Sequence, residues 1–447
     1  MNVEKFAAPL FAAGVMMMSG CVNLEKPVLR IGIVSDNQAY PFDYDWGMDN
    51  MDKALAMLAE KKPEVILTAG DIADDSTAET LVCTAKLIKK HFPVMPQLAG
   101  CAGNHDYWIT GPIESRTPEK TYAEFARSLG LPPDNPCHTV IKGYHFISMS
   151  EDVDFLQRTE YSDAALAKLE AEIQKAVAAD PEKPVFVITH YPPVNTIAGS
   201  SGKSGQRAMH EMMKKYPQVF SLSGHTHYPL EDERSIWQGE YTALSLSTLA
   251  YGCMGGMYNS CNGILPFARE VNQMLYMEIF TDKLVIRRYN VSDKREIKPD
   301  APWVVPLPFD PATAPYTAAR SKQRTAPEFP ADAKVLLRYD YGFMYIIFEA
   351  AKHEDFVHHY RLKITDLDKN EVVFDQNYAG DFYRWERNRA DRMFFRLPGE
   401  VLVPGTNYRY EVFPVESFGN EGKPLVLEAP VRARYRFRQN VNIYPQE

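Results

Sequence analysis

The chain has 447 residues, of which 45% are hydrophobic and 24% are charged, and its formal net charge is -9. This length exceeds what one hydrophobic core usually holds, so two domains are expected. The composition is that of an ordinary globular protein and excludes a disordered chain. The acidic balance, without a dense basic block, argues against nucleic acid as a partner.

The N-terminus resembles the signal of a bacterial lipoprotein. Lys5 precedes a small and apolar stretch at residues 6–18, and Ser19-Gly20-Cys21 follows it. A charged end, a short hydrophobic region and small residues before a cleavage point are typical of export signals. The pattern predicts a signal peptide over residues 1–21 and a lipid on Cys21 that anchors an exported protein to the membrane of the cell envelope, in the periplasm or at the cell surface. A plain secretory signal or a short anchor helix is the alternative, although the apolar run is short for a membrane span.

Five cysteines remain after Cys21, and an odd number leaves at least one unpaired within a monomer. None forms a Cys-x-x-Cys pair, which disfavours a zinc knuckle. A disulfide between Cys253 and Cys261 could close the glycine-rich stretch 251–263, but buried free thiols are the simpler expectation. The five are Cys83, Cys101, Cys137, Cys253 and Cys261.

Strand-like and helical runs alternate between residues 28 and about 290, which predicts a layered α/β domain at residues 28–295. The later strands follow one another without helices, so we expect the sheet to end in antiparallel hairpins. Strands are predicted at Val28–Val34, Val65–Thr68, Thr139–Lys142, His145–Met149, Val185–Thr189, Val219–Ser223, Tyr241–Ser247, Met274–Phe280 and Leu284–Tyr289. Helices are predicted at Met48–Glu60, Thr77–Lys90, Tyr122–Leu129, Ala164–Ala178 and Arg207–Lys215.

Residues 296–332 have a different composition. Eight prolines lie from Pro299 to Pro330, with little periodicity. Proline lacks the backbone donor that a sheet ladder needs, so the segment is predicted to be a linker or a strap over a surface. Trp303 and Phe309 favour a docked strap over a free tether.

Residues 333–440 have the pattern of a β-sandwich, with short strands separated by turn residues. The segment Leu402–Tyr408, with Tyr410 and Val412 after it, resembles the tyrosine-corner region of fibronectin type III domains, and Phe418–Gly422 resembles the turn that follows. This resemblance implies a small all-β domain after the α/β domain. Strands are predicted at Val335–Leu337, Tyr345–Phe348, His359–Ile364, Val372–Phe374 and Tyr408–Val415.

Five short polar motifs carry the functional interpretation. Three of them come soon after apolar, strand-like runs at residues 31–34, 65–67 and 185–188, and open α/β sheets bind ligands at the carboxyl ends of their strands. Together the motifs supply carboxylates, an amide and imidazoles, which suit zinc, manganese or iron. Each motif alone would more often be a loop carboxylate, a helix cap or a satisfied histidine. The motifs are Ser35-Asp36-Asn37-Gln38, Gly70-Asp71, Gly103-Asn104-His105-Asp106, Thr189-His190-Tyr191 and Gly224-His225-Thr226-His227.

The motifs and their order resemble those of the calcineurin-like metallophosphoesterase superfamily over about residues 30–289. That resemblance implies two divalent transition metal ions, about 3.5–4 Å apart, that share the water attacking the phosphorus. Manganese, zinc and iron are the metals expected. The ligands implied are Asp36, Asp71 and His227 for the first ion, and Asp71, Asn104, His190 and His225 for the second, with Asp71 bridging both.

The same resemblance implies that His105 lies over the phosphate as a general acid or transition-state stabiliser, oriented by Asp106. One position departs from the family pattern, because Gln38 stands where the D-x-H motif has its histidine. The amide oxygen of Gln38 could bind the first ion more weakly, and some branches of the superfamily carry glutamine there. Asp74, three residues after Asp71, could supply a carboxylate instead, or could cap the helix that follows.

The predicted function is a metal-dependent phosphomonoesterase or phosphodiesterase of the bacterial cell envelope, acting on a phosphorylated small molecule or envelope component. If Gln38 leaves the first site too weak, the alternative is a weakly catalytic or non-catalytic protein that binds such a component through its metal. Aromatic residues near the motifs predict an aromatic-lined pocket, although core packing explains them nearly as well. These are Tyr40, Tyr44, Trp46, Tyr107, Trp108 and Tyr191.

Overall fold

The structure is a computed structural model that describes residues 26–40, 46–74, 78–107, 117–152, 161–202 and 204–432. The predictions for residues 1–21, Tyr44 and Trp108 lie outside the described residues. The strands are β1 Leu29–Ile33, β2 Val65–Thr68, β3 Gln97–Gly100, β4 Cys137–Ile141, β5 Tyr144–Met149, β6 Val185–Thr189, β7 Val219–Ser223, β8 Ile236–Gln238, β9 Thr242–Ser245, β10 Gln273–Ile279, β11 Lys283–Asn290, β12 Arg295–Ile297, β13 Trp303–Pro306, β14 Val335–Asp340, β15 Phe343–Glu349, β16 His359–Asp366, β17 Glu371–Ala379, β18 Arg392–Arg396, β19 Asn407–Val415 and β20 Leu425–Pro430. The helices are α1 Trp46–Lys61, α2 Ala78–His91, α3 Pro118–Leu129, α4 Asp163–Ala179 and α5 Ser204–Met213.

Two sheets form the α/β part. The first has the order β12-β11-β10-β1-β2-β3, with β13 also paired to β11, and its strands β1, β2 and β3 are parallel. Strands β10 to β13 pair antiparallel, as the run of strands without helices predicts. The second sheet has the order β4-β5-β6-β7-β9-β8. Strands β5, β6, β7 and β9 are parallel, and β4 and β8 pair antiparallel at the two edges.

The two sheets face each other across one hydrophobic core, to which Ile31 and Leu67 contribute from the first sheet and Phe186 and Leu222 from the second. Because side chains alternate along a strand, Ile66 points the other way, into a cluster with helices α1, α2 and α3. Helices α4 and α5 cover the outer face of the second sheet. The result is four layers, which confirms the predicted α/β class.

Helix boundaries follow from capping residues. Helix α3 begins four residues before its predicted start, because Thr117 accepts a hydrogen bond from the Lys120 backbone amide and Pro118 occupies the first helical position. Gly130 then ends the helix in the left-handed conformation, with φ 72°. Helix α4 begins where the Ser162 hydroxyl accepts from the Ala165 backbone amide at 3.1 Å.

The proline-rich segment 296–332 lies against the α/β part. Trp303 is only 1% exposed, its Nε1 donates to Glu233 at 2.6 Å, and Arg288 stacks over its ring at 4.1 Å. Phe309 packs on the core between the two sheets. The segment also supplies β13, an edge strand with proline only at its end, where the missing donor costs the ladder least.

The C-terminal part is an antiparallel β-sandwich, as predicted. A three-stranded sheet, β14-β15-β18, packs on a four-stranded sheet, β17-β16-β19-β20, around a core rich in tyrosine and phenylalanine. Tyr408 is 1% exposed, and its hydroxyl accepts a hydrogen bond from the Val403 backbone amide at 3.0 Å. This is the kind of contact that a tyrosine corner makes, while the likeness to fibronectin type III domains stays a prediction.

Within the described residues, no helix combines the length and the apolar character needed to span a bilayer. All five cysteines after Cys21 are free thiols, so the alternative of a disulfide between Cys253 and Cys261 is not realised.

Candidate metal centre

The fold brings the five motifs to one place. Asp36 and Asp71 follow the adjacent parallel strands β1 and β2, and Asn104 follows β3. His190 follows β6 and His227 comes shortly after β7, in the facing sheet. The carboxyl ends of both sets of strands meet at the same edge of the two sheets, as expected for a ligand site in this class of fold.

The backbone at these positions is strained in a consistent way. Asp36, Gln38, Asp71, His225 and His227 all have φ between 42° and 65°, a left-handed conformation that costs a residue with a Cβ on the order of 1 kcal/mol or more. Hydrogen bonds between the two loops hold this geometry, since the Asp36 amide donates to Gly70 at 3.0 Å and the Gln38 amide to Asp71 at 2.9 Å. Strain maintained in this way is typical of functional sites.

Asp36, Asp71 and His227 form the first candidate position. Each offers one ligand atom, and the three atoms lie within 4.8 Å of one another. The side chains are 0%, 1% and 4% exposed, and two buried carboxylates need a compensating positive charge. The donor set is one that a divalent transition metal ion satisfies.

Asp71, Asn104, His190 and His225 form the second candidate position. The His190 Nε2 atom lies 3.3 Å from Asp71 Oδ2 and 2.9 Å from Asn104 Oδ1, and His225 Nδ1 lies 3.1 Å from the same Asn104 oxygen. The Nδ1 of His190 donates to the Ala69 carbonyl at 2.8 Å, which leaves Nε2 for the site. Asp71 therefore contributes to both positions, as the family resemblance implies.

Charge at the second position is already partly balanced by a proton. Burial is the largest influence on the pKa of His190 and lowers it, but the charge of Asp71 and the hydrogen bond to it outweigh burial and raise the pKa to about 10. The imidazole is therefore a cation beside the buried carboxylate. A metal ion bound here would replace that proton.

Gln38 fits a ligand role better than Asp74 does. Gln38 is 7% exposed, and its Oε1 atom is buried without a hydrogen-bond partner, which is costly unless something else occupies its lone pairs. The Asp74 carboxylate is already engaged, with Oδ1 2.8 Å from His105 Nδ1 and Oδ2 accepting from the Tyr40 hydroxyl. The alternative that Asp74 caps the next helix involves residues 75–77, which lie outside the described residues.

The predicted orientation of His105 by Asp106 is wrong. The Asp106 carboxylate accepts hydrogen bonds from the backbone amides of Ala73 and Gly103, each at 2.9 Å. It therefore connects the loop after β2 with the loop after β3. Asp74 holds the His105 imidazole instead. Asp106 follows His105 in a short 3-10 helix, and each of its two carboxylate oxygens accepts from a loop backbone amide rather than from the imidazole.

Few of the predicted aromatic residues lie at the centre. Tyr191 packs against His225 with 4.1 Å between ring centroids. The hydroxyl of Tyr107 donates to the Glu151 carbonyl, and Trp46 packs under Arg269, so both are structural. A contact that the motifs do not predict involves Tyr251, whose carbonyl oxygen accepts from His227 Nδ1 at 2.9 Å. A backbone carbonyl has no signature in sequence, so no motif could have identified this contact.

The comparison with protein families agrees with this geometry. Residues 29–229 match the calcineurin-like phosphoesterase family. The match includes every candidate ligand, from Asp36 to His227. No curated protein matches the chain.

Solved structures with a similar fold have low identity. A dimetal phosphatase from Danio rerio is 11% identical with a TM-score of 0.44, and the alignment covers 61% of this chain and 99% of that one. An inner membrane complex anchor protein of Plasmodium is 12% identical with a TM-score of 0.41, covering 64% and 92%. A purple acid phosphatase from yellow lupin is 12% identical with a TM-score of 0.40, covering 60% and 52%. At this level the matches bear on neither the substrate nor the mechanism of this chain.

Glycine is required where the loops approach the ligands. A Cβ on Gly103 would lie 2.5 Å from His190 Nδ1 and nearer still to Asp71 Oδ1, so we expect Gly103→Ala to displace ligands of both positions. The metal content of the purified protein should fall from about two ions per chain to one or none, measured by elemental analysis.

Gly130→Ala, at the end of helix α3, is the matched control, because a Cβ there meets nothing within 4 Å. Equal metal content in the two variants would show that the absence of a Cβ at Gly103 is not needed for metal binding.

Proposed function

We propose that this chain is a dinuclear metal-dependent phosphoester hydrolase of the bacterial cell envelope. The observation that carries the proposal is the pair of ligand sets that share Asp71, with a protonatable histidine, His105, beside them. Bound at these two positions, divalent ions would neutralise phosphate charge and activate a water for attack on phosphorus. The family match over residues 29–229 supports a phosphoester as the substrate class.

His105 is suited to donate a proton to the leaving group. Burial lowers the pKa of His105, but the hydrogen bond to Asp74 and the charge of Asp71 outweigh burial and raise it, so the imidazole keeps its proton to a higher pH than an ordinary histidine does. Asp74 Oδ1 lies 2.8 Å from Nδ1 of the ring and so fixes the orientation of a proton donor. Asp74 is in turn held by the Tyr40 hydroxyl.

The alternative function is metal-dependent binding without turnover. It is favoured by Gln38, because a neutral amide oxygen is a weaker ligand than the imidazole it replaces. In that case the protein would hold a phosphorylated envelope component at a site with one tightly bound ion.

Activity measurements separate the two functions. The protein loaded with Mn, Zn or Fe is expected to cleave nitrophenyl phosphate or bis-nitrophenyl phosphate, and preference between them distinguishes monoester from diester hydrolysis. Asp71→Asn should lower kcat by at least about 100-fold, since both ions lose a shared charged ligand.

Asp300→Asn, at an exposed carboxylate, should leave activity unchanged. A wild-type protein that binds metal but cleaves no member of the panel would favour the binding function.

The role of His105 predicts a large loss of kcat when its imidazole is removed and a smaller loss when only its orientation by Asp74 is removed. His105→Ala should lower kcat by about 10²–10⁴-fold without changing metal content, and Asp74→Asn should lower it by about 10-fold through loss of ring orientation.

Tyr107→Phe is the neighbouring control, because the Tyr107 hydroxyl donates to the Glu151 carbonyl at 3.0 Å and belongs to no candidate ligand. If Asp74→Asn kept full activity at all pH values, the assigned role of Asp74 would be wrong.

The envelope location rests on the sequence of residues 1–21. Cells expressing the wild-type chain should incorporate labelled palmitate into it and retain it in the membrane fraction, whereas Cys21→Ala should remain unlabelled. Cys83→Ala is the control, since that cysteine lies in helix α2. A Cys21→Ala protein that still carries label would exclude lipidation at this position.

A further inference from the structure

His227 is positioned by a segment that lies far away in sequence. Its Nδ1 donates to the Tyr251 carbonyl at 2.9 Å, and its own carbonyl accepts from the Cys253 amide at 2.9 Å. The ring of Tyr251 packs against the imidazole with 4.8 Å between centroids. The placement of this ligand therefore depends on residues 251–264, which we call the 251–264 segment.

The 251–264 segment is itself fixed by the β-sandwich. The Tyr258 amide donates to the Asn377 carbonyl at 2.6 Å, in strand β17. The Asn259 side chain pairs with the Ala379 backbone, accepting from its amide at 2.8 Å and donating to its carbonyl at 3.4 Å. The Tyr258 ring packs between sandwich aromatics, with centroids 5.0 Å from Phe374 and 5.2 Å from Tyr378.

A second contact with the sandwich involves the residue next to His227. Tyr228, the residue after His227, is 6% exposed, and its hydroxyl hydrogen-bonds with His358 Nε2 of the sandwich at 2.6 Å. Tyr228 also shares a buried cluster with Met254 of the 251–264 segment and Phe382 of the sandwich. The loop that carries His227 is thus connected to the sandwich in two ways, directly through Tyr228 and indirectly through the 251–264 segment.

Among the described residues, three of the four ligands of the second position, Asp71, Asn104 and His190, lie outside the loop that carries His227, and only His225 shares that loop. His190 is oriented by the Ala69 carbonyl and Asn104 by His190 and His225, all within the α/β part. Loss of sandwich contacts should therefore weaken the two positions unequally, because only the first uses a ligand held by the 251–264 segment.

We propose that the β-sandwich sets the affinity of the first metal position. Tyr258 and Asn259 are positioning residues, because they attach the 251–264 segment to the sandwich and so hold Tyr251 against His227. This inference rests on the proposed function, because it assumes the two-metal site. It assigns the C-terminal part a role in metal occupancy besides its packing.

The test is manganese titration of the full chain, followed by electron paramagnetic resonance. Two manganese ions that share Asp71 should give a spin-coupled signal in the wild type. Asn259→Ala combined with Tyr258→Ala should weaken binding of one ion by about 10- to 100-fold, so that an isolated six-line signal appears at intermediate manganese, while the other ion stays bound.

Two controls separate positioning from general damage. Asn259→Asp keeps the oxygen that accepts from the Ala379 amide but loses the donor to the Ala379 carbonyl, so it should restore part of the affinity lost in Asn259→Ala. Asp355→Asn breaks the contacts of the sandwich with Lys298 and Arg324 without touching the 251–264 segment, and it should leave both affinities unchanged.

A double-mutant cycle assigns the affected position. In a His227→Ala background, the Asn259→Ala change should cause no further loss of metal affinity, because Asn259 acts on the metal only through the position of His227. Unchanged affinity in the Tyr258 and Asn259 variants, or an equal loss in Asp355→Asn, would overturn the inference. A wild type that binds two ions without cleaving any phosphoester would instead refute only the proposed function.

Discussion

Two carboxylates, Asp36 and Asp71, are buried at the ends of adjacent parallel strands. Placing two negative charges in a low-dielectric interior is unfavourable unless positive charge compensates them. Backbone amides of His225 and His105 each donate to one of the carboxylates at 2.8 Å, but neutral donors offset only part of that cost. The surrounding imidazoles and the amide of Asn104 complete a shell that a pair of cations would satisfy.

The backbone carries much of this arrangement. Strained left-handed residues turn the chain sharply after each strand, so that side chains at successive strand ends aim at one point. Glycines lie where a Cβ would clash with a ligand side chain. Gly103 lies beside His190, and Gly224 lies beside Asp36. The Asp106 carboxylate links the two loops through the amides of Ala73 and Gly103. Such a rigid support keeps the ligands ready for binding and limits the reorganisation that binding requires.

The two metal positions differ in how they are supported. The second is built within the α/β part, whereas the first depends on His227, the 251–264 segment and the β-sandwich that holds it. The first position also carries Gln38, the neutral residue in place of an imidazole. The first position therefore has both the weaker ligand and the ligand whose orientation depends on contacts with the sandwich. Its metal affinity should depend on the sandwich more than that of the second position does.

The sequence by itself determined the class of fold and the identity of the candidate ligands. Hydrophobic periodicity located helices α1 to α5 and most strands of the α/β part, but not β3 or β8. Motif order identified Asp36, Asp71, Asn104, His190, His225 and His227. These features are local, because each depends on residues close together in the chain. Helix α3 was placed four residues short, since the Thr117-Pro118 start signal precedes the apolar pattern.

Only the tertiary structure decided which groups support the ligands. Asp74 rather than Asp106 holds His105, and the Tyr251 carbonyl holds His227, because loops distant in sequence meet at the ends of two facing sheets. The contact of Asn259 with Ala379 joins residues from two separate parts of the chain. Hydrogen bonds to backbone atoms and contacts between domains depend on three-dimensional proximity, and one sequence alone does not encode that proximity in any residue pattern.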